Sequence, residues 1–250
     1  MPRTSLTEMM DLLPALAFCV VVAAELCLPL RTRSRNLGER WVGNLGLFLA
    51  NALLGLWLAP LLATIGGAAA TLPGWPLWLA AFLGLDLLGY ATHRLFHWAP
   101  VWRIHAVHHT DADVDATTAF RHHPLEFAAT LATTSLLGSA IGIAPAVVAA
   151  YGAVALAAQM LQHANLSFPD WLERPARALF VTPGMHRIHH SRAPVDANAN
   201  FGTVLSIWDR LFRTYRCTAA GGGEPAAFGV AEFAAPRYQR LPGMLLTPLY

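Results

Sequence analysis

Lysine is absent from this 250-residue chain: all 17 basic residues are arginine, set against 15 acidic residues. Charge of either sign is scarce, at 13% of residues against 55% hydrophobic, which lies outside the range of ordinary soluble domains. The arginines scatter over loops and form no patch, so a nucleic-acid surface is not expected. Cysteine is sparse: Cys19, Cys27 and Cys217 have no CxxC spacing, and two of them lie in one apolar segment. Neither a disulfide framework nor a thiolate metal site follows. The glycines Gly221, Gly222 and Gly223 fall in the loop from Ala219 to Ala226, which lacks the phosphate-binding pattern and the strand before it.

Long uncharged runs are present instead. Leu12 to Leu30 is interrupted only by Glu25, Val42 to Ala70 carries no charge, and Pro76 to Ala91 carries only Asp86. Phe127 to Gln162 is uncharged and broken near Pro145. At about 20 residues per crossing, these runs supply four or five membrane helices. The expected fold is all-α, an integral membrane helical bundle with a cytoplasmic histidine-rich metal-binding cap. The first segment begins with Arg3, followed by the acidic Glu8 and Asp11. That is the wrong start for a secretion signal, so it reads as a retained helix. Glu25 stands near no motif and is given no role.

Basic residues set the expected orientation. Arg31, Arg33, Arg35 and Arg40 follow the first helix, and the positive-inside rule puts them in the cytoplasm. The second helix leaves and the third returns, bringing His93 and His97 to the cytoplasmic side. The hairpin from Phe127 to Gln162 carries His163 back to that side whether it crosses fully or dips in and out. Both geometries stay open.

Histidine carries the chemistry. Eight of the eleven fall into three clusters: His93 and His97, then His105, His108 and His109, then His186, His189 and His190. The patterns are HxxxH, HxxHH and a second HxxHH. Residues i, i+3 and i+4 share one helix face, so each HxxHH aims three imidazoles the same way. Imidazole suits zinc, iron, copper and nickel, and three clusters hold more nitrogens than one ion uses. A two-metal centre follows. A lone HxxxH would read as two surface histidines; it is the three motifs together that favour metal. His123 and His163 lie beside apolar segments and equally fit satisfied core histidines, while His122 reads as exposed. Farther on, Val204, Leu205, Trp208, Leu211, Phe212 and Tyr215 fall at helical spacing opposite Asp209, Arg210 and Arg213. Phe201 to Tyr215 is therefore expected as an amphipathic helix, on the membrane surface or packed on the metal domain.

Taken in order, Asp86, Tyr90, His93, Arg94 and His97, the first HxxHH, Arg121 with His123, Pro124 and Glu126, then His163 and Asn165, the second HxxHH, and Asn200, Phe201, Gly202, Trp208 and Asp209 form a set. This set resembles the fatty acid hydroxylase and sterol desaturase superfamily from about Gly84 to Tyr215. The resemblance implies a membrane-bound non-haem di-iron oxygenase that activates O2 and hydroxylates or desaturates a lipid C–H bond. It implies two iron ions, with zinc as a substitute in purified protein. The implied metal ligands are His93, His97, His105, His108, His109, His163, His186, His189 and His190, with His123 a further ligand or an outer partner. Asp86, two turns before His93, is placed to accept a proton from a ligand imidazole, with pairing to Arg94 or to a backbone donor as the plain alternative. Glu126 and Asn165 have similar prospects. Leu87, Leu131 and Leu161 are candidates to line a lipid path, although leucine in a membrane helix is ordinarily packing.

No haem-binding domain and no flavin or nicotinamide fingerprint is expected, so electrons would come from a separate donor. The arginine-only composition suggests a bacterial inner-membrane enzyme. The expected organisation is 1–83 as N-terminal membrane helices, 84–216 as the di-metal domain with its membrane hairpin, and 217–250 as a C-terminal tail. Two other readings stand beside this one. A membrane cytochrome would place paired histidines deep in its helices, and a histidine-rich metal-binding or transport protein would need polar ligands along its crossings.

Overall fold

The computed structural model describes the backbone of residues 4–65 and 74–250, and the side chains of residues 12–62 and 74–250. The side chains of Arg3, Glu8 and Asp11, on which the leader reading turns, and residues 66–70 of the second apolar run lie outside that description. Helices α1 (Thr4–Cys27) and α2 (Leu37–Ile65) are followed by α3 (Trp75–Phe96), α4 (Ala99–His109), α5 (Pro124–Ala140) and α6 (Pro145–Gln162). The shorter α7 (Asp170–Leu179), α8 (Pro183–His189), α9 (Pro194–Ala197), α10 (Ile207–Leu211) and α11 (Leu241–Leu246) complete the chain. No β-strand occurs among the described residues, where pairing is limited to the bridges Phe180 to Leu205 and Ser191 to Phe228. Proline sets most of the helix starts. Pro76, Pro100, Pro124, Pro145 and Pro183 each stand in a first turn, where the missing N–H costs nothing and φ is already helical.

Helix α2 is polar inside and apolar outside. Its inward residues Arg40, Asn44, Leu47 and Asn51 are buried, while Val42, Leu49, Leu56 and Trp57 are at least 59% exposed. A soluble helix shows the reverse. Two helical segments, Leu37–Leu62 and Pro145–Gln162, are long and apolar enough to cross a membrane, and Leu12–Cys27 is a shorter apolar stretch. The hairpin breaks where expected, between Ile141 and Ala144. Its arms α5 and α6 are each about 26 Å long at helical rise, against a hydrocarbon thickness of about 30 Å.

In the packing, α1 lies on α6, α2 on α5, and α3 on α6. Leu85, Val147, Tyr151, Ala155, Val204 and Leu205 form the largest apolar cluster. A buried ionic node ties these helices to the segment after α4. Arg40 bonds Asp111 at 2.8 Å and Asp115 at 2.7 Å, and Arg121 reaches Asn44, Thr110 and Gln239. Arg40 therefore does not act as a free loop charge, and Arg31 packs on Phe228 and faces Glu224. Glu25 gains a role, since one of its oxygens accepts from both the Ala116 and Asn165 backbones, tying α1 to the ends of two loops. The C-terminal segment is packed in place, with Met244 buried against Leu47 and Val107.

The stretch Phe201–Tyr215 is not the helix its spacing suggests. Only α10 is helical. Two carboxylates take the amides a helix would use: Asp209 accepts from Phe201 N and Gly202 N, and Asp86 accepts from Val204 N and Leu205 N. Asp209, expected on a solvated face, is fully buried. The backbone reverses at Asn200 and Arg213, both with φ near +60°.

Candidate metal centre

Histidines reach the centre from the C-terminal ends of four helices. His97, His163 and His190 cap α3, α6 and α8, and His109 is the last residue of α4. His93, His105, His108, His186 and His189 lie within the final turns. Their ring nitrogens gather in two adjacent groups. His93, His97, His105, His109 and His189 form one, and His108, His163, His186 and His190 form the other, with the candidate ligand atoms of each group within 4.8 Å of one another.

The two HxxHH motifs cross between these groups. On α4 the i, i+4 pair His105 and His109 enters the first group and His108 the second; on α8 the i, i+4 pair His186 and His190 enters the second and His189 the first. A helical step of about 100° per residue separates i+3 from i+4 enough to aim neighbouring residues at neighbouring pockets. The three imidazoles of each motif thus do not all serve one ion. The nine rings combine as two complementary halves.

The proton positions follow from the hydrogen bonds. Carbonyl oxygens only accept, so Nδ1 is the protonated nitrogen where it meets one. His93 Nδ1 donates to Phe201 O at 2.9 Å, His163 Nδ1 to Gln159 O at 2.7 Å, and His189 Nδ1 to Ala199 O at 2.8 Å. His105 Nδ1 donates to the Glu126 carboxylate at 2.7 Å. In each of these the Nε2 lone pair is left facing inward. His163 Nε2 lies 3.0 to 3.1 Å from the Nε2 atoms of His108, His186 and His190. A single lone pair cannot accept from three neighbours at once, so this convergence is unfavourable without a cation. The Nε2 atoms of His93, His97 and His189 are buried with no hydrogen-bond partner. Burial, with the neighbouring imidazoles adding to it, holds His108, His109, His186, His189 and His190 well below the usual histidine range. His163 is pushed down to about 3, chiefly by burial. Converging imidazole nitrogens, with the outward N–H of His93, His105, His163 and His189 tied to fixed acceptors, suit divalent transition metals, and the residues fit such ions.

Other expected site residues lie elsewhere. Glu126 fits an outer role best, bridging His105 to His122 Nδ1, the latter at 2.9 Å. His122 is not the exposed residue its sequence position suggests: its ring stacks on His108 with centroids 4.5 Å apart. The i, i+4 spacing of His122 and Glu126 was the signal that could have found it. His123 stays outside both groups, accepting from Leu125 N to cap α5 and donating to Leu245 O. Asp86 touches no ligand imidazole and does not pair with Arg94. It accepts from Tyr151 OH and Trp208 Nε1 as well as from Val204 N and Leu205 N, and so holds the loop whose Phe201 carbonyl orients His93. Asn165 exchanges hydrogen bonds with the Arg31 backbone, away from the histidines.

A cavity of about 530 Å³ opens beside the centre. His93, His108, His163 and His186 stand on its wall among Phe48, Leu85, Phe96, Phe120 and Phe127. Leu131 lines it, whereas Leu87 is not on the wall and Leu161 packs toward Val21, Ala116 and Ala164 instead.

The stretch of chain that carries these histidines matches a known family. The fatty acid hydroxylase model covers residues 78–214, more than half the chain. This chain belongs to the fatty acid hydroxylase family. Relatives of this fatty acid hydroxylase family member include an ornithine lipid hydroxylase of Rhizobium tropici, 32% identical over 56% of this chain and 43% of that protein. The alkylglycerol monooxygenase of Homo sapiens is 33% identical over 55% of this chain and 30% of that protein. The Danio rerio alkylglycerol monooxygenase is 34% identical over 56% of this chain and 30% of that protein. The matches thus span less than half the length of these curated relatives. No solved structure matches this chain.

Proposed function

We propose that this family member is a membrane-bound di-iron oxygenase that hydroxylates or desaturates a C–H bond of a lipid, using O2 and electrons from a separate donor. One observation carries the reading: nine imidazoles, seven of them buried, gather in two adjacent groups, and four of them form part of the wall of an apolar cavity. Two redox metals sharing O2 supply an oxidant strong enough for an unactivated C–H bond, which side chains alone do not.

Within that reading, His93, His97, His105, His109 and His189 hold one metal and His108, His163, His186 and His190 the other. The Phe201, Gln159 and Ala199 carbonyls and the Glu126 carboxylate fix the ring tautomers. The cavity's phenylalanines and leucines exclude water and hold an apolar chain against the histidines. The relatives, an ornithine lipid hydroxylase and alkylglycerol monooxygenases, support a lipid substrate. The apolar outward face of α2 supports a bundle in which α1, α2, α3 and the α5–α6 hairpin sit in the membrane, with the centre at a cytoplasmic face of a bacterial inner membrane. The remaining divisions, 1–83, 84–216 and 217–250, serve as anchor, di-metal domain and packed tail.

The test is elemental analysis of protein expressed with added iron, followed by turnover of candidate lipids under ¹⁸O2. About two irons per chain and one labelled oxygen in the product support hydroxylation; an unlabelled alkene supports desaturation. Folded protein with no bound metal would reject the oxygenase.

A further inference from the structure

One polar side chain on the cavity wall has no assigned task. Asn51 lies on α2, outside residues 78–214 that the family model matches. It is 5% exposed and lines the cavity. Its Nδ2 donates to His122 O at 2.9 Å. A carbonyl accepts and never donates, so the amide orientation is determined: nitrogen toward His122, oxygen away. That oxygen, Oδ1, is buried and has no hydrogen-bond partner.

Neighbouring polar groups are committed elsewhere. Thr92 Oγ1 bonds the Leu88 and Gly89 carbonyls, Tyr151 OH bonds Asp86, and Gln162 Nε2 bonds Thr203 O. The other unpartnered oxygen on this wall is Glu126 Oε2, whose carboxylate also meets the His122 ring. Two unpartnered acceptors therefore flank His122, each on a residue of the cavity wall. An unsatisfied buried acceptor costs free energy comparable to a lost hydrogen bond, and only a donor brought in from outside relieves it.

We propose that Asn51 sets the ligand specificity of this cavity by accepting a hydrogen bond from a hydroxyl or N–H group on an otherwise apolar molecule. The proposal rests on the reading of the cavity as a lipid site. It makes the substrate a lipid with a donor group seated near His122, so that the carbon presented to the histidines is chosen by its distance along the chain from that donor. A plain hydrocarbon, ester or ether leaves Oδ1 unsatisfied. It is therefore discriminated against by a site built around the missing partner.

The test uses the full chain, metal-loaded, in lipid nanodiscs. Binding of tritiated tetradecanol is competed with unlabelled tetradecanol or with its methyl ether, for wild type, Asn51→Leu and Asn51→Gln. In wild type the alcohol is expected to compete about 5- to 10-fold better than the ether, the worth of one neutral hydrogen bond. Asn51→Leu, with the same branching but no polar atom, should bind both alike, and Asn51→Gln, with its oxygen displaced by a methylene, should lose most of the preference. A merely structural role would change both competitors equally and leave the ratio intact. Equal competition in wild type, which needs no variant to fold, or a preference that survives in Asn51→Leu or Asn51→Gln, overturns the proposal. No saturable tetradecanol binding in wild type overturns the lipid-cavity reading itself.

Discussion

His108 and His109 are adjacent in sequence and belong to different halves of the centre, their rings edge to face at 89° with centroids 5.4 Å apart. His189 and His190 repeat the relationship at 86° and 5.6 Å. Each HxxHH helix therefore braces both halves. A small rotation of α4 or α8 would misplace ligands in both groups at once.

Loss of one ligand should register in the half that holds it. His186→Ala leaves three histidines in the second group, and the variant should retain about one metal per chain, with activity abolished while the protein still inserts in the membrane. Elemental analysis of purified protein checks this. Full metal content would remove His186 from the ligand set.

Glu126→Gln tests the partner of His105. The amide keeps an acceptor for His105 Nδ1 but loses the charge that raises the imidazole's basicity. Metal affinity should weaken by about 10- to 100-fold, the usual effect of removing such a partner. Competition with a calibrated chelator measures it, and an unchanged affinity would reduce Glu126 to a structural contact.

Asp86→Asn should loosen a loop rather than remove a ligand. Asp86 accepts four hydrogen bonds, and an amide nitrogen in place of one oxygen sets donor against donor. Hydrogen exchange across residues 201–208 should accelerate, and His93 should lose the orientation that Phe201 O imposes. Protection equal to wild type would mean that Trp208 and Tyr151 hold the loop without it.

Arg40, Asp111 and Asp115 make stability depend on acid. Burial alone would raise the Asp111 pKa, but Arg40 and Arg121 hold it well below the usual carboxylate range. A carboxyl whose folded value is depressed stabilises the fold above its unfolded value of about 3.9, and that contribution fades as pH falls toward the folded value. Thermal unfolding should thus show the Asp111 contribution present in full and constant between neutral pH and about 5, and a progressive loss below about 4. Arg40→Leu leaves two carboxylates buried without their partner and should cost about 3 to 5 kcal/mol. A melting temperature matching wild type in that variant would show the pair to be dispensable.

Much of this was legible in the sequence because periodicity and residue chemistry pointed the same way. The HxxHH spacing gathers the three rings of each motif on adjoining helix positions, and the uncharged run broken at Pro145 is a hairpin in the structure. Which ring meets which was not legible, because the crossing of the motifs depends on the mutual rotation of α4 and α8. The stretch Phe201–Tyr215 misled because its apolar spacing is helical, whereas its amides are taken by Asp86 and Asp209, and Asp86 stands more than a hundred residues away in sequence. His122 and Asn51 were overlooked for a related reason. Each is a single polar residue whose meaning comes from a contact distant in sequence, Asn51 with the His122 carbonyl and His122 with the His108 ring.

The histidines sit where α3, α4, α6 and α8 end. Each helix terminus carries roughly half a negative charge from its unpaired carbonyls. Together they offer about two negative charges to a site whose nine imidazoles supply none. Unlike the Glu126 carboxylate beside His105, this negative charge is held in the main chain, where no side-chain substitution deletes it and no acidification titrates it away. Only unwinding the last turn of a helix would remove it.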